Sequence, residues 1–328
     1  MNAGYGALAN EHFRWFRLYL AEAITTSGQL SIRWISNKVN EKLNKIFKTN
    51  EDYVITCDTD SMYIKADRIA ELSNSKDKKK TVEYINKVCE EILQKFINDS
   101  YEALAEMMNC NKNKMFMKRE VIADRGIFIA KKRYALNVWN KEGVSYDEPK
   151  IKIQGIEAVR TSTPMVCRTA IKEALKIVME KDQKDLHNYV DKFKEKFYSL
   201  TYDDVAFPRG VNDINKWEDP IEIWSKGTPI HVKGALIYNY LLKKLGLEHR
   251  YEPIVNGSKI KFCYLKLPNP YQISVISCPD GLPKEFGLEK YIDFDMQFDK
   301  TFFGPFDNIM QAIEWTTEAK STLEDFFG

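Results

Sequence analysis

Two aspartates separated by a single residue are the side chains of this chain best suited to chemistry. Asp58 and Asp60 lie in the segment YVITCDTDSMYI, residues 53–64. On an extended backbone residues i and i+2 point to the same side, so we expect the two carboxylates to converge on one cation. Hard oxygen ligands of this kind suit Mg²⁺ or Mn²⁺, and two such ions can assist a phosphoryl transfer.

Two other interpretations of the aspartates need weighing. Asp and Ser in a turn often only bind local backbone, and that interpretation would be preferred for an isolated Asp-x-Asp. A calcium loop would need a liganding side chain, Gly and Glu at its fifth, sixth and twelfth positions. Met62, Tyr63 and Ile69 occupy those positions, so the sequence excludes a calcium loop.

The elements that must position the aspartates follow from the residue patterns. The runs on either side of Asp58 and Asp60 are β-branched or aromatic, which predicts a β-hairpin with the acids at its tip. Apolar residues at helical spacing from Ile24 to Phe47 predict a long amphipathic helix packed under the hairpin. A second helix is expected over 80–108, followed by a strand over 114–122 that carries Glu120.

Four short segments resemble motifs of family B DNA polymerases, in the order found in the T-even-phage type. Asp-Thr-Asp-Ser between apolar strands resembles palm motif C, and residues 2–8, NAGYGAL, are similar to the tail of the finger-helix motif Lys-x-x-x-Asn-x-x-Tyr-Gly. Residues 131–139, KKRYALNVW, resemble the Lys-x-Tyr segment, and residues 148–155, EPKIKIQG, resemble the strand that leaves the palm.

The resemblance implies roles for three acids. Asp60 would bind metal directly and share it with an aspartate of motif A, which lies upstream of the finger helix in this family and is not recognisable here. Asp58 would tune the position of two Mg²⁺ ions, with Mn²⁺ possible as a substitute. Glu120 would lie near the second ion, although an edge-strand ion pair with Lys118 or Arg119 is an equally good interpretation.

The resemblance also implies contacts with nucleotide and DNA. Asn2, Tyr5 and Gly6 would form the pocket for the nascent base pair. Lys132 would act at the catalytic centre on primer or nucleotide phosphates, and Tyr134 would support the primer end. Further basic residues would extend a groove for duplex phosphates, although each lysine alone could be ordinary solvated surface: Lys131, Arg133, Lys150, Lys152 and Arg160.

Composition sets broad limits on the class of protein. The chain has 328 residues, 49 basic and 47 acidic, so its net charge of +2 does not by itself indicate a nucleic-acid binder. Six widely separated cysteines without a Cys-x-x-Cys pair predict reduced thiols. Without an apolar run of eighteen residues or an export pattern, we expect a cytoplasmic protein, in an infected bacterial host if the gene belongs to a phage.

The second half of the chain is predicted to be mainly helical. Thr163 followed by Pro164 predicts a helix start with Thr163 as N-cap. Leu186, Val190, Phe193 and Phe197 predict one buried face of a later helix, and a helix over 231–244 and a β-rich piece over 259–267 follow. The fold class expected is α+β, a palm with an antiparallel sheet and packed helices followed by a mainly helical thumb. The domains expected are the end of the fingers at 1–10, the palm at 11–155, the thumb at 156–319 and a terminal peptide at 320–328.

The terminal peptide KSTLEDFFG resembles the sliding-clamp peptide of T-even-type polymerases. Leu323, Phe326 and Phe327 could share one face of a helical turn and insert in an apolar groove of a clamp. Packing of this tail on its own chain is the alternative interpretation.

These observations predict the C-terminal part of a DNA-directed DNA polymerase. It would use primer-template DNA and dNTPs and would be inactive without an N-terminal part that carries motif A, the triphosphate-binding fingers and any exonuclease. The chain could be a naturally split subunit or a piece of a longer protein. A non-catalytic DNA-binding and clamp-tethering module is the main alternative. A Mn²⁺-dependent nucleotide-sugar transferase would explain the aspartates but not the other segments.

Overall fold

A computed structural model describes residues 4–219 and 221–318 of the chain. It contains both α-helices and antiparallel sheets, which confirms the α+β class. The chain divides into two units: unit 1 takes residues up to 124 and 138–150, and unit 2 takes residues 125–137 and those from 151 onward. The assignment of fingers, palm, thumb and terminal peptide stays a prediction, because the two units have boundaries but no functional roles attached to them.

Unit 1 is organised by helix α2, Leu18–Phe47, which ends at Lys48 in a left-handed conformation. Ile35, Val39 and Leu43 are buried at intervals of four residues, and α2 packs against both strands of the aspartate hairpin. The predicted helix and its place under the hairpin are therefore confirmed. Ile24, expected on the same face, is 50% exposed, so the buried face of α2 is continuous only from Ser31 onward, with Ala21 buried near the start of the helix.

The other helices and the hairpin of unit 1 are α1 Gly4–Leu8, β1 Val54–Asp58, β2 Ser61–Ile64, α3 Asp67–Glu71, α4 Lys78–Val88 and α5 Gln94–Met107. A π-helical turn, Cys89–Leu93, joins α4 to α5. The helical stretch predicted over 80–108 is thus confirmed, with one turn wound more loosely than an α-helix. Its apolar face enters the same core as α2.

The strand predicted over 114–122 differs from the structure. Residues 114–120 lie outside any helix or strand, and β3 begins only at Val121 and runs to Ala130. Half-buried Met117 and Arg119 alternate with exposed residues 116, 118 and 120, as they would in a strand, but the segment joins no sheet in the part of the chain that the structure describes. Glu120 therefore precedes the strand instead of lying within it.

Strands β3, β4 (Arg133–Lys141) and β5 (Val144–Gln154) form a sheet in that order. The boundary of the units falls within each strand, after Asp124, Asn137 and Lys150. The chain thus passes from one unit to the other three times along this sheet.

Unit 2 is mixed rather than purely helical. Its α-helices are α6 Met165–Glu180, α7 Gln183–Phe197, α8 Tyr202–Val205, α9 Ile214–Trp217, α10 Ile230–Lys244, α11 Phe294–Phe298 and α12 Gly304–Gln311. Its strands are β6 Phe207–Gly210, β7 Glu218–Asp219, β8 Ile223–Trp224, β9 Lys259–Tyr264 and β10 Val275–Cys278. Short 3-10 turns occupy Glu157–Val159, Lys284–Phe286 and Glu289–Tyr291, and a π-helical turn, Asp299–Phe303, joins α11 to α12.

Most of the helical predictions for unit 2 are confirmed. All four residues predicted on one face of α7 are buried, and α10 and β9 lie where a helix and a β-rich piece were expected. The cap of α6 was predicted one residue too early. The carbonyl of Pro164 accepts the N–H of Arg168 at 3.0 Å, so Pro164 is the N-cap and Thr163 lies outside the helix.

Helix α10 packs closely on β10, the edge strand of a sheet ordered β10-β9-β6. A Cβ at Gly234 would lie 2.4 Å from Ser277 Oγ and 2.8 Å from Ser277 N, so the packing requires glycine there. Ser277 Oγ donates to the carbonyl of His231 at 2.7 Å and ties the helix to the strand.

All six cysteines are free thiols, as predicted. Among residues 4–219 and 221–318, no helix is both long and apolar enough to cross a membrane.

Candidate functional site

The two aspartates lie at the tip of the β1–β2 hairpin. Asp58 pairs with Ser61 as the last residues of the ladder, so Thr59 and Asp60 form a two-residue connection. Thr59 has a φ of 54°, and Asp60 N–H donates to the carbonyl of Asp58 at 2.6 Å. Ser61 Oγ also donates to that carbonyl, at 3.1 Å, which holds the tip in a tight turn.

The predicted hairpin is confirmed, but the reason given for convergence of the carboxylates does not apply. Alternation of side chains requires an extended backbone through residues 58–60. The left-handed Thr59 interrupts it, and the direction of Asp60 is set by the turn. Asp58 is half-buried at the end of β1, whereas Asp60 is exposed.

A polar residue of α2 fixes the base of the hairpin. Asn40 Oδ1 accepts the backbone N–H groups of Tyr53 and Val54 at 2.8 and 3.0 Å. Tyr53 is 1% exposed, and its hydroxyl lies 2.7 Å from Thr49 Oγ1. The hairpin is therefore attached to the C-terminal half of α2 at the start of β1.

The hairpin tip offers oxygen donors of the kind that Mg²⁺ and Mn²⁺ prefer, namely the carboxylates of Asp58 and Asp60. In chemical type these donors fit the predicted ions. Within the ranges 4–219 and 221–318, no three or more His, Cys, Asp and Glu side chains gather as a group that could hold a metal ion.

Lys131 and Lys132 form the turn between β3 and β4, and Lys132 has a φ of 62°. Gly155, with a φ of 67°, lies against this turn. A Cβ at Gly155 would be 2.1 Å from the carbonyl oxygen of Lys132, a distance no side chain can tolerate. The turn therefore rests on the end of β5, and both lysines are exposed.

Two of the basic residues near this turn are engaged by an acid of the same unit. Arg133 Nη2 donates to both oxygens of Glu157 at 3.0 and 2.8 Å. Arg160 lies 3.4 Å from the same carboxylate and donates to the carbonyl of Gly155 at 3.1 Å. The Glu157 carboxylate thus contacts both Arg133, which follows the turn in the chain, and Arg160, which binds Gly155 beside the turn.

Comparison with known proteins shows the family. Residues 1–209 match the sequence pattern of DNA polymerase family B. The chain belongs to DNA polymerase family B.

Three relatives extend this result. The chain is 34% identical to the DNA-directed DNA polymerase of Enterobacteria phage T4 and 34% identical to that of Escherichia phage RB69, each time over 100% of this chain and 38% of the relative. It is 24% identical to a DNA polymerase of Choristoneura biennis entomopoxvirus over 80% of this chain and 28% of the relative. The chain thus spans less than two fifths of the length of these family B relatives.

Glu120 and two of the residues predicted to form the nucleotide pocket, Tyr5 and Gly6, lie in unit 1. Glu120 is exposed, and its carbonyl accepts the N–H of Glu142 at 2.7 Å. Tyr5 is 51% exposed on α1, and Gly6 follows it in the same helix with open space around its Cα. Asn2 lies outside the described residues.

Other residues predicted to contact DNA differ in their exposure. Tyr134 is 7% exposed, and its hydroxyl donates to Gln154 Oε1 at 2.8 Å. This buried side chain therefore joins the start of β4 to the end of β5. Lys150 is exposed in unit 1, with its ammonium 4.2 Å from the ring centre of Tyr146. Lys152 is half-buried in unit 2. Their contacts with DNA stay predictions.

Leu323, Phe326 and Phe327, the predicted clamp-binding residues, lie outside the described residues. The last described segment is attached to the body of unit 2. The carbonyl of Thr316 lies 2.8 Å from His187 Nε2 of α7, and Thr317 Oγ1 donates to Asp307 Oδ1 of α12 at 2.9 Å.

Three residues important to these sites were missed in the sequence. Asn40, Gly155 and Glu157 act on partners 13, 23 and 24 residues away. The sequence offered one signal for Glu157, an acid between the apolar residues Ile156 and Ala158, and both of these neighbours are fully buried.

Proposed function

We propose that this chain is the catalytic C-terminal part of a DNA-directed DNA polymerase and acts with a polypeptide segment that supplies motif A. The observation that carries the proposal is the hairpin tip with Asp58 and Asp60, in a member of DNA polymerase family B. The reaction is attack of a primer 3′-hydroxyl on the α-phosphate of a dNTP. A new P–O bond forms, the bond to the oxygen that bridges the α- and β-phosphates breaks, pyrophosphate leaves, and the hydroxyl proton is released to water.

Asp58 and Asp60 would hold two divalent ions together with an aspartate of the partner segment. When bound, such ions lower the pKa of the attacking hydroxyl and stabilise charge on the leaving pyrophosphate. Exposed Asp60 is the direct ligand in this proposal, and half-buried Asp58 sets the position of the ions. Glu120 has a supporting role at the second ion.

The other predicted site residues are proposed to bind substrates. Tyr5 presents an exposed ring that can stack beside a nascent base pair, and Gly6 leaves space for close approach. The exposed Lys131 and Lys132 present two ammonium groups at a turn, where they can bind primer or nucleotide phosphates and position DNA without reading its sequence.

The partner segment has a candidate docking surface in unit 1. We call it the α2 apolar surface, and it consists of Trp15, Leu18, Tyr19, Leu20 and Ile24. These side chains are between 41% and 64% exposed, and Glu22 is the single charged residue between Leu18 and Leu30. Exposed apolar groups of this density are typical of protein interfaces. The family B relatives contain the additional length that could cover them.

The terminal peptide is proposed to tether the polymerase to a sliding clamp through Leu323, Phe326 and Phe327. Attachment of Thr316 and Thr317 to α7 and α12 supports this proposal, because it fixes the point from which the peptide starts. If the gene belongs to a phage, the polymerase would act in the cytoplasm of the infected host.

Primer extension tests the proposed function. The full chain is mixed with a polypeptide that carries the preceding polymerase regions, a primed template, dNTPs and Mg²⁺. We expect extension by the mixture, and Asp60→Asn should reduce its rate at least about a hundredfold, because a direct metal ligand is lost. Asp99→Asn, which removes an exposed acid of α5 in the same unit, is the matched control and should leave the rate unchanged.

Two results would count against polymerase catalysis. Duplex binding without extension by the native mixture would favour a DNA-binding and clamp-tethering module. Equal extension rates for the native chain and Asp60→Asn would remove the hairpin from the catalytic centre.

A further inference from the structure

Glu157 has a rigid backbone and a largely enclosed carboxylate. It begins the 3-10 turn Glu157–Val159, and its neighbours Ile156 and Ala158 are both 0% exposed in the core of unit 2. The Glu157 side chain itself is 17% exposed. An acid held this way has few conformations to lose when it pairs, so its ion pairs are geometrically defined.

Both arginines that contact Glu157 are partly withdrawn from solvent. The side chain of Arg133 is 29% exposed, and that of Arg160 is 50% exposed. Arg133 donates to both carboxylate oxygens through Nη2, while its Nε is buried without a hydrogen-bond partner among the described residues. Loss of the acid would leave a half-buried cation without its anion, which is unfavourable.

These contacts reach the Lys131–Lys132 turn from two directions. Arg133 follows Lys132 in the chain, so its pairing fixes the end of the turn. Arg160 binds the carbonyl of Gly155, and Gly155 lies directly against the carbonyl of Lys132. The carboxylate of Glu157 is the group common to both routes.

We propose that Glu157 is a positioning residue that, through Arg133 and Arg160, holds the Lys131–Lys132 turn in the conformation that binds the phosphates of primer-template DNA. The inference rests on the proposed function and changes the role of the two arginines. Lys131 and Lys132 bind phosphate, whereas Arg133 and Arg160 are occupied by an acid of the same unit.

The alternative is that Arg133 and Arg160 bind DNA phosphates themselves. The two roles predict opposite effects of removing the charge of Glu157. If the arginines position the turn, their release disorders it and weakens DNA binding. If they are phosphate ligands, their release from a competing acid strengthens binding and raises the number of counterions displaced.

Two measurements on the full chain test the proposal with Glu157→Gln. Amide hydrogen exchange reports the order of residues 130–135, and duplex affinity at several salt concentrations reports the number of phosphate contacts. We expect faster exchange in 130–135, about tenfold weaker binding and a salt slope smaller by about one to two. Glu248→Gln, an exposed acid of unit 2, makes the same charge change and should alter none of these quantities.

A charge exchange tests the pairing directly. Arg133→Glu combined with Glu157→Arg keeps the net charge and allows the pair to form again, so it should restore at least part of the protection of residues 130–135. Should Glu157→Gln not fold, Arg133→Gln removes the other half of the pair, and faster exchange in the same segment is again expected.

Unchanged exchange in 130–135 would overturn the proposal, and so would tighter binding with a larger salt slope. A native chain that binds no duplex would contradict the proposed function and the phosphate-binding role of the turn. The exchange measurement would then still decide whether Glu157 holds the turn.

Discussion

At the scale of single residues, two polar side chains hold the segments around the candidate site residues. Asn40 attaches the aspartate hairpin to α2 by accepting two N–H groups, and Glu157 joins the segments around the lysine turn. Neither is placed at the chemistry itself. Asn40 fixes the base of the aspartate hairpin and Glu157 is proposed to fix the lysine turn, so neither stood out in the sequence as a candidate ligand.

Asn40→Leu is expected to destabilise unit 1 by about 2–5 kcal/mol, because it leaves the N–H groups of Tyr53 and Val54 without an acceptor at a buried position. Asn40→Asp keeps an acceptor oxygen and should cost clearly less. Urea unfolding of the two variants followed by circular dichroism measures the difference. Equal midpoints for both variants would show that the two hydrogen bonds do not support the hairpin.

The positions of single residues could be predicted from the sequence where a local pattern determines them. The acids at a hairpin tip followed from β-branched flanks around Asp58 and Asp60. The left-handed Thr59 did not, since it depends on the length of the connection between two paired strands. The pairing of Arg133 with Glu157 joins residues far apart in the chain, and no periodicity marks such a contact.

At the scale of elements, close packing between α10 and β10 gives a sharp test of the fold. Gly234→Ala is expected to destabilise the protein by about 1–3 kcal/mol, because its Cβ would overlap the backbone of Ser277. Gly28→Ala in α2 is the matched change, with nothing within 4 Å of the new Cβ. It should be neutral or stabilise by about 0.5–1 kcal/mol. Thermal unfolding of the two variants would contradict the packing if they shifted alike.

The first turn of α10 also carries a group that links stability to pH. Burial, together with the nearby charge of Arg209, lowers the pKa of His231 below its usual 6.5. The unfolded chain therefore takes up this proton at a higher pH than the folded chain does. The contribution of His231 to stability is complete above about pH 6.5 and is lost as the pH falls through the lowered folded value.

His231→Asn should reduce the loss of stability between pH 7.5 and pH 5, measured by urea midpoints at both pH values. The native chain and the variant should differ more at pH 7.5 than at pH 5. An identical pH dependence in both would show that His231 is not a source of the linkage.

Elements were predicted well where the apolar pattern and the burial agreed, as in α7 and the C-terminal half of α2. The failures have physical causes. Residues 116–120 alternate in burial as a strand would, but they pair with no neighbouring strand of the described residues, and a local pattern does not show whether a partner strand is present. Pro164 ends the turn before α6 instead of beginning the helix, because its carbonyl already accepts the first helical N–H.

At the scale of the whole molecule, mutation of the α2 apolar surface tests whether the chain binds a partner segment. Ile24→Glu should weaken association with a polypeptide carrying the preceding polymerase regions by about tenfold or more, because an apolar contact is lost and a charge would be buried. Ile221→Glu makes the same change at a residue of unit 2 that is 90% exposed. Its association should equal that of the native chain in a titration followed by light scattering.

Equal weakening by both substitutions would indicate a general effect of charge, and no weakening by either would place the partner elsewhere. The need for another polypeptide segment was inferred from motif A, which is not recognisable in this sequence, and it stays a prediction. A docking surface for such a segment could not be predicted, because Ile24 fits the helical periodicity of α2 as well as the buried residues do.

The three crossings along β3, β4 and β5 have a consequence for synthesis of the chain on the ribosome. Unit 1 cannot be completed when residue 124 emerges, since it still awaits residues 138–150, and unit 2 includes residues 125–137, which are made before those. The two units must therefore mature in overlapping order during translation. A nick anywhere between residues 125 and 150 would leave both units divided between two polypeptides, so proteolysis within this segment would affect both units at once.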